Sequence, residues 1–236
     1  MKLFAYPFEA NDFYIKPDTA LAKPTDDFFI PPVCGSITFT TCYVIKINRL
    51  GRSIKEQFAH RYYTEVNYGI CIYGHPKLFP ETTSERQSET SHNGPLWIPG
   101  LALDNSLSMP RTFLGKDQLG HILLQQDDDL RCPDIPQIQT FPIPSAQVVA
   151  KRIAHLSGFV YLKMGDLLLL ELHKPLPIAA GARIRVLPEV DFWIRYSNGD
   201  WCATNGDYRA TNPHWCATNP QECATKTHPS KSQTRK

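Results

Sequence analysis

Cys42, Cys71 and His75 are the side chains of this sequence whose chemistry best suits a metal ion. Thiolate and imidazole donors favour zinc, but a structural zinc site closes with four ligands and no clear fourth is offered. The plainer reading is two small buried side chains, because free cysteine is among the most buried residue types. Glu171 and His173 are the one acid and base pair of comparable interest, and at i and i+2 of a strand they are expected on one face. The run Asp127, Asp128 and Asp129 reads instead as a solvated acidic turn, since adjacent side chains of an extended chain point apart. His60 and His155 fit packing or boundary positions. The sequence has no glycine-rich phosphate cradle, Gly-x-Ser-x-Gly elbow or HExxH helix, which removes support for nucleotide binding, serine hydrolysis and zinc-protease chemistry.

The elements that must position these groups follow from periodicity. Between residues 36 and 47, Ile37, Phe39, Thr41, Tyr43, Ile45 and Ile47 alternate with Thr38, Thr40, Cys42, Val44 and Lys46, which is the period of a strand. Positions 40 and 42 then share a face. A turn at Arg49–Arg52 leads to a short helix over Ile54–Tyr63, and Val66–Tyr73 is expected to return as a strand. Ser145 can cap a helix on which Val149, Ile153 and Leu156 recur at helical spacing, with Gly158 as its stop. Phe159–Leu162, Asp166–Leu170, Ala182–Leu187 and Asp191–Tyr196 read as strand segments, broken by a proline- and glycine-bearing stretch from Lys174 to Gly181.

With 236 residues, 42% of them hydrophobic and 20% charged, the chain can bury a sizeable core as one domain. A net charge of +2 is too small to call for nucleic acid as a partner, and no apolar run approaches a membrane span. The brief apolar start before Glu9 lacks a signal-peptide core, and seven cysteines without framework spacing fit reduced thiols, so a cytoplasmic protein is expected. A polar stretch near 75–95 reads as a mobile surface loop. Beyond a domain spanning 1–198, residues 199–236 carry units beginning at Trp201, Tyr208, Trp215 and Glu222, seven residues apart. Pro213, Pro220 and Pro229 exclude a coiled coil, and Cys202, Cys216, Cys223, His214 and His228 lack CxxC pairing, so a disordered repeat tail is expected.

Several ordered segments carry a resemblance to a known family. Phe13-Tyr14-Ile15-Lys16-Pro17-Asp18-Thr19-Ala20-Leu21, the strand from Ser36 to Ile47 with its turn, Phe58-Ala59-His60-Arg61-Tyr62-Tyr63, Gly94-Pro95-Leu96-Trp97 followed by Asp104-Asn105-Ser106, and Leu162-Lys163-Met164-Gly165-Asp166-Leu167 together resemble the core of the fumarylacetoacetate hydrolase family. The resemblance runs from about Phe13 to Tyr196. It implies a β-rich α+β domain, a mixed β-roll with short flanking helices, and a homodimer. Family members cleave, isomerise or decarboxylate small oxo-acids with magnesium or another divalent cation, which requires hard oxygen ligands.

The ligand positions implied by the resemblance are changed in this chain. Thr40 and Cys42 stand where the family has a Glu-x-Glu pair, and Cys71 where it has an aspartate. The family's Arg-Asp-x-Gln run falls on His75 to Leu78, its lysine after the tryptophan on Leu101, and its Thr-Gly-Thr-Pro loop on Leu170 to His173, which includes Leu172. The segment bearing the family's His and Glu base pair is shortened to Pro7–Asp12. His75, Leu78, Leu101 and Leu172 are thus degenerate substrate-pocket positions. The expectation is a chain without catalytic residues or a resident metal, hydrolase-like in ancestry and inactive. The alternative is an active hydrolase, isomerase or decarboxylase with rearranged metal ligands.

Overall fold

The computed structural model describes residues 1–22, 27–76, 98–126, 138–178, 183–187 and 190–196. Leu78, the aspartates at 127–129 and the repeats after 198 lie outside them. Strands β1 (Leu3–Tyr6), β2 (Tyr14–Lys16), β3 (Leu21–Ala22) and β4 (Phe28–Ile30) precede two long strands, β5 (Cys34–Ile47) and β6 (Tyr63–Pro76). Helix α1 (Ile98–Leu101) is followed by β7 (Leu107–Ser108), β8 (Leu114–Gly115), β9 (His121–Gln126) and β10 (Ile138–Pro142). Helix α2 (Ala146–Phe159) then leads to β11 (Leu167–Glu171), β12 (Leu176–Ile178), β13 (Arg183–Leu187) and β14 (Val190–Tyr196).

The larger sheet runs β2-β1-β11-β5-β6-β7-β3, with β12 also on β5 and β8 on β6. The smaller one runs β10-β9-β13-β14-β4. Most neighbours are antiparallel, while β1 with β11, β3 with β7 and β4 with β14 are parallel, so the architecture is the expected β-rich α+β class with mixed sheets. Alternation along β5 decides the layering. Ile37, Phe39, Tyr43, Ile45 and Ile47 enter one core with Val149, Ile153 and Leu156 of α2 and with Ile122, Leu124, Ile184 and Val186 of the smaller sheet. Cys42 and Val44 enter a second core with Leu3, Ala5, Cys71, Leu107 and Leu169. Both faces of the central strands are therefore covered, which explains why β5 carries almost no charge.

Helix α2 starts as expected, its first turn closed by Ser145, whose Oγ accepts from the Val148 N–H at 3.3 Å. It runs through Gly158 to Phe159, because Gly158 has no left-handed backbone and the Val160 N–H still bonds to the Leu156 carbonyl. The strand expected over Phe159–Leu162 is reduced to one bridge between Gly51 and Leu162. The expected helix over Ile54–Tyr63 is a 3-10 turn at Glu56–Arg61. The proline-bearing stretch after Lys174 contains β12, a three-residue strand along the outer half of β5. No described helix is long and apolar enough to cross a membrane.

Candidate functional site

Strand register assembles the site. In the β5–β6 ladder Thr40 faces Cys71, Thr38 faces Tyr73 and Cys42 faces Gly69, and in the β11–β5 ladder Glu171 faces Cys42. Residues opposite one another in a ladder point to the same side, so these side chains line one face. The pairings Leu169 with Ala5, and Ala5 with Tyr14, extend that face across β1 to Tyr14 and Lys16 of β2. Cys42 and Cys71 thus meet on one side of the sheet, as the alternation requires. Both belong to the second core, and Thr40, Cys42 and Cys71 are all fully buried.

Lys16, Glu171 and Tyr73 are buried with the thiols, and Tyr14 adjoins them. Lys16 is only 1% exposed, and its Nζ donates to the Leu101 carbonyl at 2.8 Å, Ser106 Oγ at 2.9 Å and the Ile72 carbonyl at 3.3 Å. The ammonium also lies 5.0 Å from the Tyr73 ring centre. Burial lowers its pKa. Glu171 accepts from the Tyr73 hydroxyl, from the Phe8 N–H at 3.1 Å and, at 3.4 Å, from the Tyr14 hydroxyl, which also donates to the Tyr73 oxygen. These donors favour the carboxylate, yet burial outweighs them and pushes the Glu171 pKa up to about 7. Burial likewise raises Tyr14 and Tyr73.

The neighbouring thiol and burial raise the pKa of Cys42, while Cys42 in turn lowers that of Cys71. The Lys16 charge lowers both. Thr40 Oγ1 is directed elsewhere, donating to the His173 carbonyl at 2.8 Å.

His173 does not join Glu171. Strand β11 ends at Glu171, the chain turns, and the imidazole stacks on Phe141 with ring centres 4.7 Å apart. Its Nε2 accepts from the Thr41 N–H at 2.9 Å, which leaves Nδ1 to donate to the Lys174 carbonyl at 2.8 Å. Burial lowers its pKa, in keeping with a neutral ring. His75 sits near the far end of the ladder with Nε2 2.9 Å from Thr38 Oγ1, opposite Ser36 and away from Cys71. Leu101 is buried in the second core, where its carbonyl receives Lys16. Leu172 packs on the first core, across the sheet from the thiols.

Among the described residues no three His, Cys, Asp or Glu side chains gather so as to hold a metal ion. The donors at positions 40, 42 and 71 do not fit a hard divalent cation. They are a committed hydroxyl and two thiols, the nearby carboxylate is held by phenols, and a buried ammonium supplies positive charge. Glu171 stood out in the sequence only as a partner for His173, and its phenol neighbours did not stand out at all. Lys16 lay in plain view within a fold motif, but nothing local signals that its ammonium is buried.

No protein-family model and no curated protein matches the sequence. Solved structures do. The maleylpyruvate hydrolase from Sphingobium sp. SYK-6 superposes with a TM-score of 0.62 at 19% identity, over 83% of this chain and 70% of that one. It is also known in complex with manganese(II) and pyruvate. The fumarylpyruvate hydrolase from Pseudomonas aeruginosa, in complex with Mn2+ and pyruvate, gives 0.61 at 18% identity, over 84% and 90% of the two chains. A fumarylacetoacetate hydrolase family protein from Yersinia pestis CO92 gives 0.57 at 17% identity, over 82% and 90%. With the strand order, the buried face and these superpositions together, the chain has the fold of the fumarylacetoacetate hydrolase family.

Proposed function

We propose that this chain keeps the fold without the metal-dependent chemistry and serves as a noncatalytic binding or dimerisation protein. The observation that supports this reading is the sealed face at Thr40, Cys42 and Cys71, each at 0% exposure, where no carboxylate stands at those three positions and the neighbouring one, Glu171, is held by phenols. An oxo-acid anion placed there would meet Lys16, but all three ammonium protons are already directed at Leu101, Ser106 and Ile72. The rival reading is a divalent-metal-dependent hydrolase, isomerase or decarboxylase with rearranged ligands. It needs Glu171 to leave Tyr73 and Tyr14 and a cation to settle beside Lys16. Homodimerisation and a cytoplasmic location complete the proposal.

Calorimetric titration of the full chain with Mn2+ and Mg2+, followed by an assay on maleylpyruvate and fumarylpyruvate with each metal present, tests the reading. The expected result is no saturable heat and no turnover above the metal-only control. Saturable binding accompanied by turnover that is lost in Glu171→Gln establishes the rival.

A further inference from the structure

We propose that the turn after β5 and the turn after α2 together form a docking surface for an anionic lipid bilayer. The inference goes beyond the functional reading above and stands whether or not that reading does.

Backbone hydrogen bonds make the surface one piece. Gly51 and Leu162 exchange both of their N–H and carbonyl groups, at 3.1 and 2.9 Å. The Ser53 N–H donates to the Ser157 carbonyl at 2.8 Å, and the Asn48 N–H to the Tyr62 carbonyl at 2.9 Å. Leu162 is buried, and the neighbours of a bridged pair point to the opposite side, so Leu50, Arg52, Tyr161 and Lys163 project outward together. Val160 is extended, with φ −127° and ψ 154°, which sends Phe159 to the side of Tyr161. Met164 takes the tip of a turn that the Asp166 N–H closes on the Lys163 carbonyl, with Gly165 at a left-handed φ of 89°. Met164 is 76% exposed, Phe159 65%, Leu50 59% and Tyr161 48%. One such side chain alone carries no message, but four on two adjoining segments form a patch.

Charge selects the partner. In residues 48–62 and 159–166 the exposed charges are Arg49, Arg52, Lys55, Arg61 and Lys163 against Glu56 alone, in a chain whose net charge is only +2. Among the described residues none of these cations is ion-paired. Asp166, the other acid of these segments, is buried and committed to Lys2 and the Lys163 N–H. An anionic bilayer answers both properties. Its headgroups attract each cation by about fivefold in affinity, and the apolar side chains enter below them with the tyrosine at the boundary. A second copy seated on the same patch would set these cations against their own kind. A nucleic acid would answer the charge, but the turns carry Leu50 and Met164 outward, which have no ring for a base to stack on.

The test is flotation of the full chain with vesicles of phosphatidylcholine alone and of phosphatidylcholine mixed with phosphatidylserine. Binding should be confined to the mixed vesicles and weaken with salt. Changing Arg49, Arg52 and Lys163 together to Gln should weaken it on the order of 100-fold, and Leu50→Ser with Met164→Ser at least about tenfold. A readout that needs no loss of binding is Tyr161→Trp, whose added emission over the parent should be quenched by vesicles of brominated lipid. Failure of the parent to float, an unquenched Tyr161→Trp, or flotation unchanged in both multiple variants, as when the basic end at 231–236 alone holds the vesicle, overturns the proposal. So does tighter binding to a single-stranded oligonucleotide than to the mixed vesicles. A parent that ignores vesicles while the Leu50 and Met164 variant turns from dimer to monomer overturns it in favour of a second copy.

Discussion

The hydroxyl of Tyr73 donates to Oε1 of Glu171, joining strands β6 and β11 across the intervening β5 on the buried face. The bond makes Glu171 a carboxylate held in place by phenols, with Tyr14, Lys16, Cys42 and Cys71 as its other titratable neighbours. None of these local facts is visible in a sequence where the two residues stand far apart.

This arrangement sets a pH dependence. The folded-state pKa of Glu171 is pushed up from its ordinary 4.5 to about 7, chiefly by burial. Below the unfolded value both states are protonated and nothing is lost. Between the two values the unfolded chain releases its proton while the folded one keeps it, so stability falls as pH rises, and above about 7 the full penalty of roughly 3 kcal/mol applies. Glu171→Gln removes this titration. The stability of the parent relative to the variant, from urea unfolding, should therefore drop by roughly 3 kcal/mol between pH 4 and pH 8. A difference that is flat with pH would show that Glu171 ionises normally in the fold.

The residue facing Cys42 across the ladder is Gly69, and the chain at Ser108 and Met109 passes so close that a side chain has no room there. A Cβ at this position would stand 2.6 Å from the Ser108 carbonyl oxygen and 3.0 Å from Met109 Cβ. The first contact is backbone and cannot swing aside. Gly69→Ala should cost about 1–3 kcal/mol, read as a lower urea midpoint at unchanged slope. An unaltered midpoint would mean that β7 sits farther from β6 than described.

Asp166 fastens the first strand. Its Oδ1 accepts from the Lys2 N–H and its Oδ2 from the Lys163 N–H, each at 2.9 Å, beside a Lys2 ammonium at 3.4 Å. Replacing it with Ala leaves two backbone donors without that acceptor, for an expected loss of about 1–3 kcal/mol. Asp166→Asn keeps one acceptor and should fall between Ala and the parent in thermal unfolding. Equal melting of all three proteins would remove the clamp from the account of how β1 is held against β11.

What the sequence revealed depended on the range of the signal. The two-residue period of 36–47 and the shared face of 40 and 42 could be read directly, because side-chain direction in a strand is local, whereas the placement of 71 beside them came from the family resemblance and depends on the β5–β6 register. The cap at Ser145 and the stripe Val149, Ile153, Leu156 were legible for the same reason. Gly158 misled because glycine ends a helix only when the chain needs a left-handed residue, and here the helix continues for one more position. His173 misled because strand alternation was carried past Glu171, where pairing stops. The Lys16 ammonium and the Glu171 phenols required tertiary partners from four different segments, and no local pattern encodes those.

Lys16 gives the sharpest test of what holds the buried face. Two effects oppose one another: the ammonium costs free energy to bury, while its three hydrogen bonds satisfy the Leu101 and Ile72 carbonyls and the Ser106 hydroxyl. Lys16→Met keeps most of the volume and removes the charge, so it relieves the first effect and forfeits the second. A Met side chain offers no donor, and each acceptor left dry costs on the order of 1–3 kcal/mol. Ser106 Oγ retains its bond to the Leu103 carbonyl at 2.6 Å, which leaves the two carbonyls to decide the balance. The expected result is a net loss of about 2–4 kcal/mol in urea unfolding, with Lys16→Ala losing more because it also opens a cavity. Should Lys16→Met equal or exceed the parent in stability, desolvation of the ammonium outweighs its hydrogen bonds, and the lysine is retained for something other than the fold.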